Sequence, residues 1–587
     1  MTRRTHTIRR ARRSAAIGLV AAAAMALTAC GSGAKTTSSS TAAAGASGSG
    51  GFTNGIVTLR GGEPQNPLIP TNTNEVFGAR IETNLFAGLV YYDADGETQM
   101  DAAESITPNA DYTVFTVKLR SGMTFDNGDP VDADSFINAW NFGAYEGNAQ
   151  LCADFFQPIQ GYKEENAPFE ADSNYKPKDG DVVTLSGLKK VDDLDFTITM
   201  AQATPDWPVH LGYNAYDPLP KSAFVKNTTT PITDAAGNPL MTVDPAYGEN
   251  PVGNGPYKLK GQGAWQHNVK IDLVPSKTYD GPRKPHNGGL TYEFITELET
   301  VYSDLLAGNL DVTDEIPESA FTTFESDLGS RAVNLAGTNF QSFTIPSRLP
   351  HFSGQEGQLR RQALSYAIDR ATICKTIFNG TRTPAKDFSS PLMAGYSANI
   401  PGNEVLSYNP TKAKQLWAQA DAISKWSGTF EIAYNGDSSH GQWVEAVLNS
   451  INQVLGIKTA PKVYPTFQAM RTDVTDRKIQ TAFRTGWQAD YPSIYDYLAP
   501  LYGTGGGSND GDYSNTDFDN LLTEGLKQKT ADESAVYYNQ AQEILMKELP
   551  AIPLWVQNIV GGSSTKVSNV KWGWDTVPIA YLIEKPE

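Results

Sequence analysis

Short β-branched strands interleaved with amphipathic helices predict an α/β protein. The clearest helical stripe is Trp443, Val444, Val447, Leu448, Ile451, Val454 and Leu455, apolar at the spacing that lines one helix face. The clearest strand runs from Thr113 to Arg120, rich in β-branched and aromatic residues. At 587 residues the chain is too long for one small core and divides into two or three domains, with no internal repeat.

The first element does not belong to the folded body. Residues 1–29 carry Arg3, Arg4, Arg9, Arg10, Arg12 and Arg13, no acid, and an apolar run from Ala15 to Ala29. That run is too short to span a bilayer, and its basic-then-apolar order predicts a signal peptide. The paired arginines are compatible with twin-arginine as well as general export. The run ends Leu27-Thr28-Ala29-Cys30-Gly31, which resembles a lipobox. In a lipobox the Cys30 thiol receives a diacylglycerol and becomes the mature N-terminus; an ordinary cleavage site beside an unrelated cysteine is the alternative. Residues 30–52 are mostly Gly, Ala, Ser and Thr and predict a flexible tether reaching roughly 25 Å.

The body begins with a strand at Ile56–Arg60 and a loop to Pro70. Glu82 to Val90 reads as the end of an amphipathic helix. After the strand at 113–120, Asp126-Asn127-Gly128-Asp129 is a turn, and Val131 to Trp140 opens a helix with acids in its first turn. Strands follow at Phe196–Met200 and Val269–Val274; between them Asn254-Gly255-Pro256 fixes a bend. Leu359 to Arg370 is helical, and Asp369 can cap a second helix ending at Asn379-Gly380. The Trp443–Leu455 helix comes next, and a last helix at Ala541–Leu549 stops at Pro550.

Net charge is −18, and removal of residues 1–29 takes the body to −24. Such acidity argues against nucleic acid or an anionic membrane surface as partner. No later stretch has 18 consecutive apolar residues, so membrane contact is expected through the N-terminal lipid only. Cys152 and Cys374, the two cysteines of the body, lie far apart and are expected to be buried and unpaired, with a disulfide as the alternative. The six histidines never fall at metal-ligand spacing, and no nucleophile elbow or phosphate loop occurs, so neither metal, cofactor nor enzymatic activity is expected. Ser439-His440 reads as a loop pair. Asp510 to Asn515 lacks the glycine and glutamate of a calcium loop at Asn515 and Leu521.

The most informative stretch is Gly486-Trp487-Gln488-Ala489-Asp490-Tyr491-Pro492-Ser493. A rigid ring beside a carboxylate suits the charged end of an extended cationic ligand; a core tryptophan and a turn-capping aspartate is the plain alternative. This stretch resembles the Gly-Trp-x-x-Asp-Tyr-Pro motif of the peptide-binding (oligopeptide/dipeptide) family of ABC-transporter solute-binding lipoproteins. Further matches follow in the family's order: Leu119 to Val131, Asn254 to Leu259, and Tyr513-Ser514-Asn515-x-x-Phe518-Asp519. The resemblance covers about residues 53–587.

It implies a periplasmic-binding-protein-like (type II) Venus-flytrap with an extra domain, three lobes joined by hinge strands near 338–345 and 554–560. Domain I would comprise 53–88, 214–337 and 560–587, domain II 89–213, and domain III 338–559. The resemblance implies that Asp490 pairs with a peptide's α-ammonium, that Trp487 packs against the ligand and that the Gln488 main chain bonds to it as an added strand. Arg484 is then a candidate for the C-terminal carboxylate or else a solvated or lobe-bridging arginine, and Asn74 and Val76 line the opposite wall. In the empty cleft Asp490 is expected to be hydrated.

The implied function is an extracytoplasmic, lipid-anchored monomer on the outer face of the cytoplasmic membrane. It would capture oligopeptides and deliver them to ABC permease and ATPase subunits. A sugar, nickel chelate, haem or opine as ligand, a sensing role, and a surface-anchored hydrolase are the alternatives.

Overall fold

Two long strands, Ala332–Thr344 and Ala551–Ser563, pair antiparallel from Ala332 opposite Gly562 to Thr344 opposite Ala551. Bulges interrupt the register between Ala336 and Asn339 and between Gln341 and Ser342. The computed structural model describes residues 54–171, 178, 181, 183–226, 241–436, 440–465, 467–506 and 508–587. The signal peptide, Cys30, the tether and Ser439 lie outside the described residues.

The long pair is the middle of a 12-stranded mixed sheet. On one side Ala551–Ser563 meets Val312–Thr313, followed by Ile56–Gly61, Gly289–Phe294, Lys270–Pro275 and Tyr257–Leu259. On the other side Ala332–Thr344 meets Ala482–Trp487, followed by Phe430–Asn435 and Thr459–Tyr464. A separate antiparallel sheet orders Ala103–Pro108, Val114–Leu119, Asp195–Thr199 and Leu188–Lys190. Two large apolar cores form around these sheets. One draws on buried residues between Phe340 and Trp574. The other runs from Val57 to Val312 and adds Ala580 and Ile583.

Most of the expected elements appear, each with its local cause. Helix Ala133–Ala144 is capped by Asp132, whose carboxylate accepts from Ser135 N while Ser135 Oγ accepts from Asp132 N. Helix Gly441–Leu455 buries the predicted stripe, Leu455 only in part, and ends at Gly456, φ +69°. Helix Ala531–Glu548 ends at Leu549, φ +45°, ahead of Pro550. Asp369 caps helix Arg370–Thr376, which stops short of Asn379 because Asn379 and Gly380 both turn left-handed.

One expectation is corrected. The helix read through Val90 is Val76–Leu85, and Val90–Tyr92 is a strand paired with Thr98–Met100. The amide of Asn254 accepts from Ala87 N and donates to Ala87 O, both at 2.9 Å, and Gly255 N donates to Leu85 O. A Cβ on Gly255 would lie 2.6 Å from the Leu85 carbonyl carbon. The Asn254-Gly255 pair therefore ends this helix by docking on its last turn. Cys152 and Cys374 are both buried and unpaired, as expected.

Candidate functional site

The Gly-Trp-x-x-Asp-Tyr-Pro stretch starts in the sheet and leaves it. Phe343 opposes Arg484 and Phe340 opposes Trp487, where the ladder ends. Pro492 has no N–H to continue a ladder, and Ser493 caps helix Ile494–Tyr502 by accepting from Tyr495 N. Gln488, Ala489 and Asp490 are thus a short crossing between the end of a strand and the start of a helix.

Asp496, buried in the first turn of that helix, ties the crossing together. Its Oδ2 accepts from Trp487 Nε1 at 3.0 Å and from Asp490 N at 2.9 Å. Burial holds its pKa up to about 7, against the opposing pull of those two donors and of His210. Asp490 is half-buried, and no cation pairs with it among the described residues. Burial, then the Asp496 charge, then that of Asp154 raise its pKa well above the ordinary carboxylate range. Asp490, expected to be hydrated, is half-buried, neither fully exposed nor sealed from solvent. The Asp490 charge also bears on Tyr213, Cys152, Tyr92 and Tyr497. Next in the chain, Tyr491 stacks on His210 with ring centroids 4.1 Å apart.

A cavity of about 300 Å³ opens against the strand face that carries Arg484, Gly486 and Trp487. Ser342 Oγ and Thr485 Oγ1 lie 2.7 Å apart on its wall, and Thr344 Oγ1 is 3.2 Å from Thr485 Oγ1. Tyr502 and Phe340 add aromatic surface. Arg471 meets the buried Asp510 at 2.5 Å at the edge. Asp510 also faces Arg477, and Asp512 pairs with Arg348 and Arg477. These acids therefore hold arginines, and Asn515 caps helix Thr516–Leu526. Among the described residues no cluster of His, Cys, Asp or Glu could hold a metal ion.

Of the six candidate binding residues, Trp487 and Arg484 line this cavity, and Asp490, Gln488, Asn74 and Val76 do not. Arg484 Nε donates to Asn435 Oδ1 at 2.9 Å. Gln488 reaches across to the carbonyl of Asp575 at 3.4 Å. Asn74 is exposed, just ahead of helix Val76–Leu85, which is capped by Glu75 rather than by Asn74. The neighbourhood of Asn74 still approaches the motif: Cys152 Sγ, within the field of Asp490, donates to Thr73 O at 3.3 Å. Sequence reasoning did not find Asp496, His210, Tyr213 or the hydroxyls of Ser342 and Thr485. An acid in a helix's first turn reads as a response to the helix dipole, which hides the role of Asp496.

Comparison with known proteins identifies the family and the fold. Residues 97–509 match the family described as bacterial extracellular solute-binding proteins, family 5 Middle. The oligopeptide-binding protein OppA of Bacillus subtilis is 24% identical over 505 residues, covering 84% of this chain and 86% of that protein. A probable deoxycholate-binding periplasmic protein, YgiS of Escherichia coli, is 25% identical over 499 residues, covering 84% and 86%. The structure of Haemophilus influenzae OppA in complex with RPPGFSPFR superposes with a TM-score of 0.69 at 21% identity, covering 91% of this chain and 99% of that one. The fold is that of the type II periplasmic binding proteins, and the chain belongs to family 5 of the bacterial extracellular solute-binding proteins.

Proposed function

We propose that this protein is the extracytoplasmic receptor of an ABC importer and that it captures oligopeptides. The observation that carries the reading is Asp490, a half-buried carboxyl with no cation partner among the described residues, set beside Trp487 in a family member. A ligand's α-ammonium supplies the missing charge, and the bond it makes in a dry site is worth roughly 1.5–3 kcal/mol. Trp487 joins that point to the 300 Å³ cavity, where hydroxyls and aromatic faces accept side chains of varied chemistry. Main-chain pairing at Gln488 would leave sequence preference broad. Arg484 is the proposed partner of a ligand carboxylate, and Asn74 and Val76 are proposed to face the ligand from the opposite wall.

In this reading domain I (53–88, 214–337, 560–587) and domain III (338–559) close on the ligand, with domain II (89–213) beside them. The segments near 338–345 and 554–560, which lie largely within the two long paired strands, act as the hinge in this reading. Cys30 carries the lipid that holds the protein on the outer face of the cytoplasmic membrane, and the closed form is what the permease recognises. A thermal-shift screen tests the ligand class. A peptide bound only by the native state at 100 times its dissociation constant adds about 2.7 kcal/mol of stability. Stabilisation by bile acids, sugars or metal chelates, with none from peptides of two to ten residues, would move the protein to another ligand branch of its family.

A further inference from the structure

We propose that Asp496 is a positioning residue of the ligand site: one carboxylate oxygen fixes the Trp487 ring and the Asp490 main chain together. The geometry comes first. Oδ2 of Asp496 is the shared acceptor for Trp487 Nε1 and Asp490 N, at 3.0 and 2.9 Å. The strand ladder ends at Trp487, so among the described residues no sheet bond constrains Gln488 to Asp490. The indole and the acid therefore keep their relative placement through a residue further along the chain, itself anchored in a helix and 2% exposed.

The charge follows from the same placement. Two acids within one buried network resist ionising together. Asp154 acts on Asp490, the phenols of Tyr92, Tyr213, Tyr491 and Tyr497 and the Cys152 thiol lie in the field of one or both acids, and Asp575 and Asp206 act in turn on Tyr92 and Tyr491. His210 is the nearby basic group acting on Asp496, and it already faces Asp206 at 3.4 Å. Burial, then the Asp496 charge, raise the Asp490 pKa well above the ordinary carboxylate range, and burial holds that of Asp496 up to about 7. An arriving ammonium favours the ionised acid, so Asp490 gives its proton to solvent as the ligand enters. This last step rests on the peptide reading; the positioning of Trp487 does not.

The experiment separates the two. In the ligand-free full-length protein, the Trp487 indole N–H resonance, assigned with Trp487→Phe, is followed from pH 4 to 9. It is expected to titrate in the wild type and in Asp490→Asn, and to lose the Asp496 step in Asp496→Asn, whose amide oxygen still accepts both bonds. In Asp496→Ala it should move to the position of a solvent-bonded indole. An indole signal insensitive to pH and unchanged in Asp496→Ala overturns the proposal. Calorimetry with tri-alanine then reads the coupling. Wild-type affinity should rise with pH below the raised Asp490 pKa, by at most about tenfold per pH unit, the slope that release of one proton requires. Asp496→Asn should flatten that rise, and Asp496→Ala should weaken binding tenfold or more at every pH. Binding with no proton release overturns the charge coupling. Failure of tri-alanine and longer peptides to bind the wild type removes the peptide reading, while the indole titration still decides the role of Asp496.

Discussion

Tyr491 stacks on His210 with ring centroids 4.1 Å apart and planes 24° from parallel. One ring belongs to the Asp490 crossing and the other to helix Trp207–His210, far away in sequence. Tyr213, just past His210, lies in the field of Asp490. The aromatic pair therefore joins the residue after Asp490 to a segment whose Tyr213 lies in the Asp490 field.

Removing that stack should loosen the Asp490 segment and, on the proposed hinge closure, favour an open form. Tyr491→Ala loses an aromatic contact worth about 0.5–1.5 kcal/mol beyond its burial. Peptide affinity is expected to fall by up to about tenfold, and the radius of gyration in solution should increase without ligand. Unchanged scattering together with unchanged affinity would leave the stack as packing alone.

The two acids should cost the empty protein stability at neutral pH. Their folded pKa values lie above the ordinary carboxylate value, burial being the first cause for both. The folded state therefore binds more protons than the unfolded chain, and stability falls as pH rises from about 4 towards about 7. Asp490→Asn and Asp496→Asn remove this penalty. Each should be more stable than wild type at pH 8, by on the order of 1–3 kcal/mol, and nearly equal to it at pH 4. Urea unfolding at pH 4, 6 and 8 measures the gap; a gap that does not widen with pH refutes the assignment.

The α/β class, the main helices and the Trp487–Asp490 motif were legible because each is written in contiguous residues. The stripe from Trp443 to Leu455 marks one helix face whatever that face packs against. What the sequence hid depends on distant contacts. Asn254 docks on the end of the helix that stops at Leu85, and nothing local at Glu82 to Val90 announces that stop. The electrostatic setting of Asp490 involves Asp154, Cys152 and Tyr213, which neither period nor motif connects to it.

Arg283 should be a large single determinant of stability. Its Nε donates to Asp101 Oδ2 at 2.6 Å, and its terminal nitrogens donate to the carbonyls of Thr83 and Phe86 at 2.6 and 2.7 Å. Both side chains of the pair are buried, and Tyr279 OH donates to the other Asp101 oxygen at 2.9 Å. Arg283→Met strands Asp101 and two carbonyls without their donor. The expected cost is about 3–5 kcal/mol, seen as a lower urea midpoint at unchanged slope. A cost below about 1 kcal/mol would mean that water replaces the guanidinium.

The two cysteines offer a test of the site from inside the protein. Cys152 is fully buried, donates to Thr73 O and lies in the field of Asp490; Cys374 is buried in the core that contains Phe340. Burial, the leading cause, raises the pKa of both thiols, Cys374 up to about 12. Since the thiolate is the reactive form, neither should react with an aromatic disulfide reagent in the native protein, and both should react after denaturation without reductant. Cys374 should then label at the rate of global unfolding. Cys152, close to the Asp490 crossing, should label faster wherever the site opens without unfolding the body. A bound peptide should slow Cys152 labelling by a larger factor than Cys374 labelling, because it holds the site closed as well as stabilising the whole fold. Residue-resolved mass spectrometry reads both rates in one sample. Equal slowing of the two thiols would show that ligand acts on global stability alone, and rapid native labelling of Cys152 would show that its pocket is open to solvent.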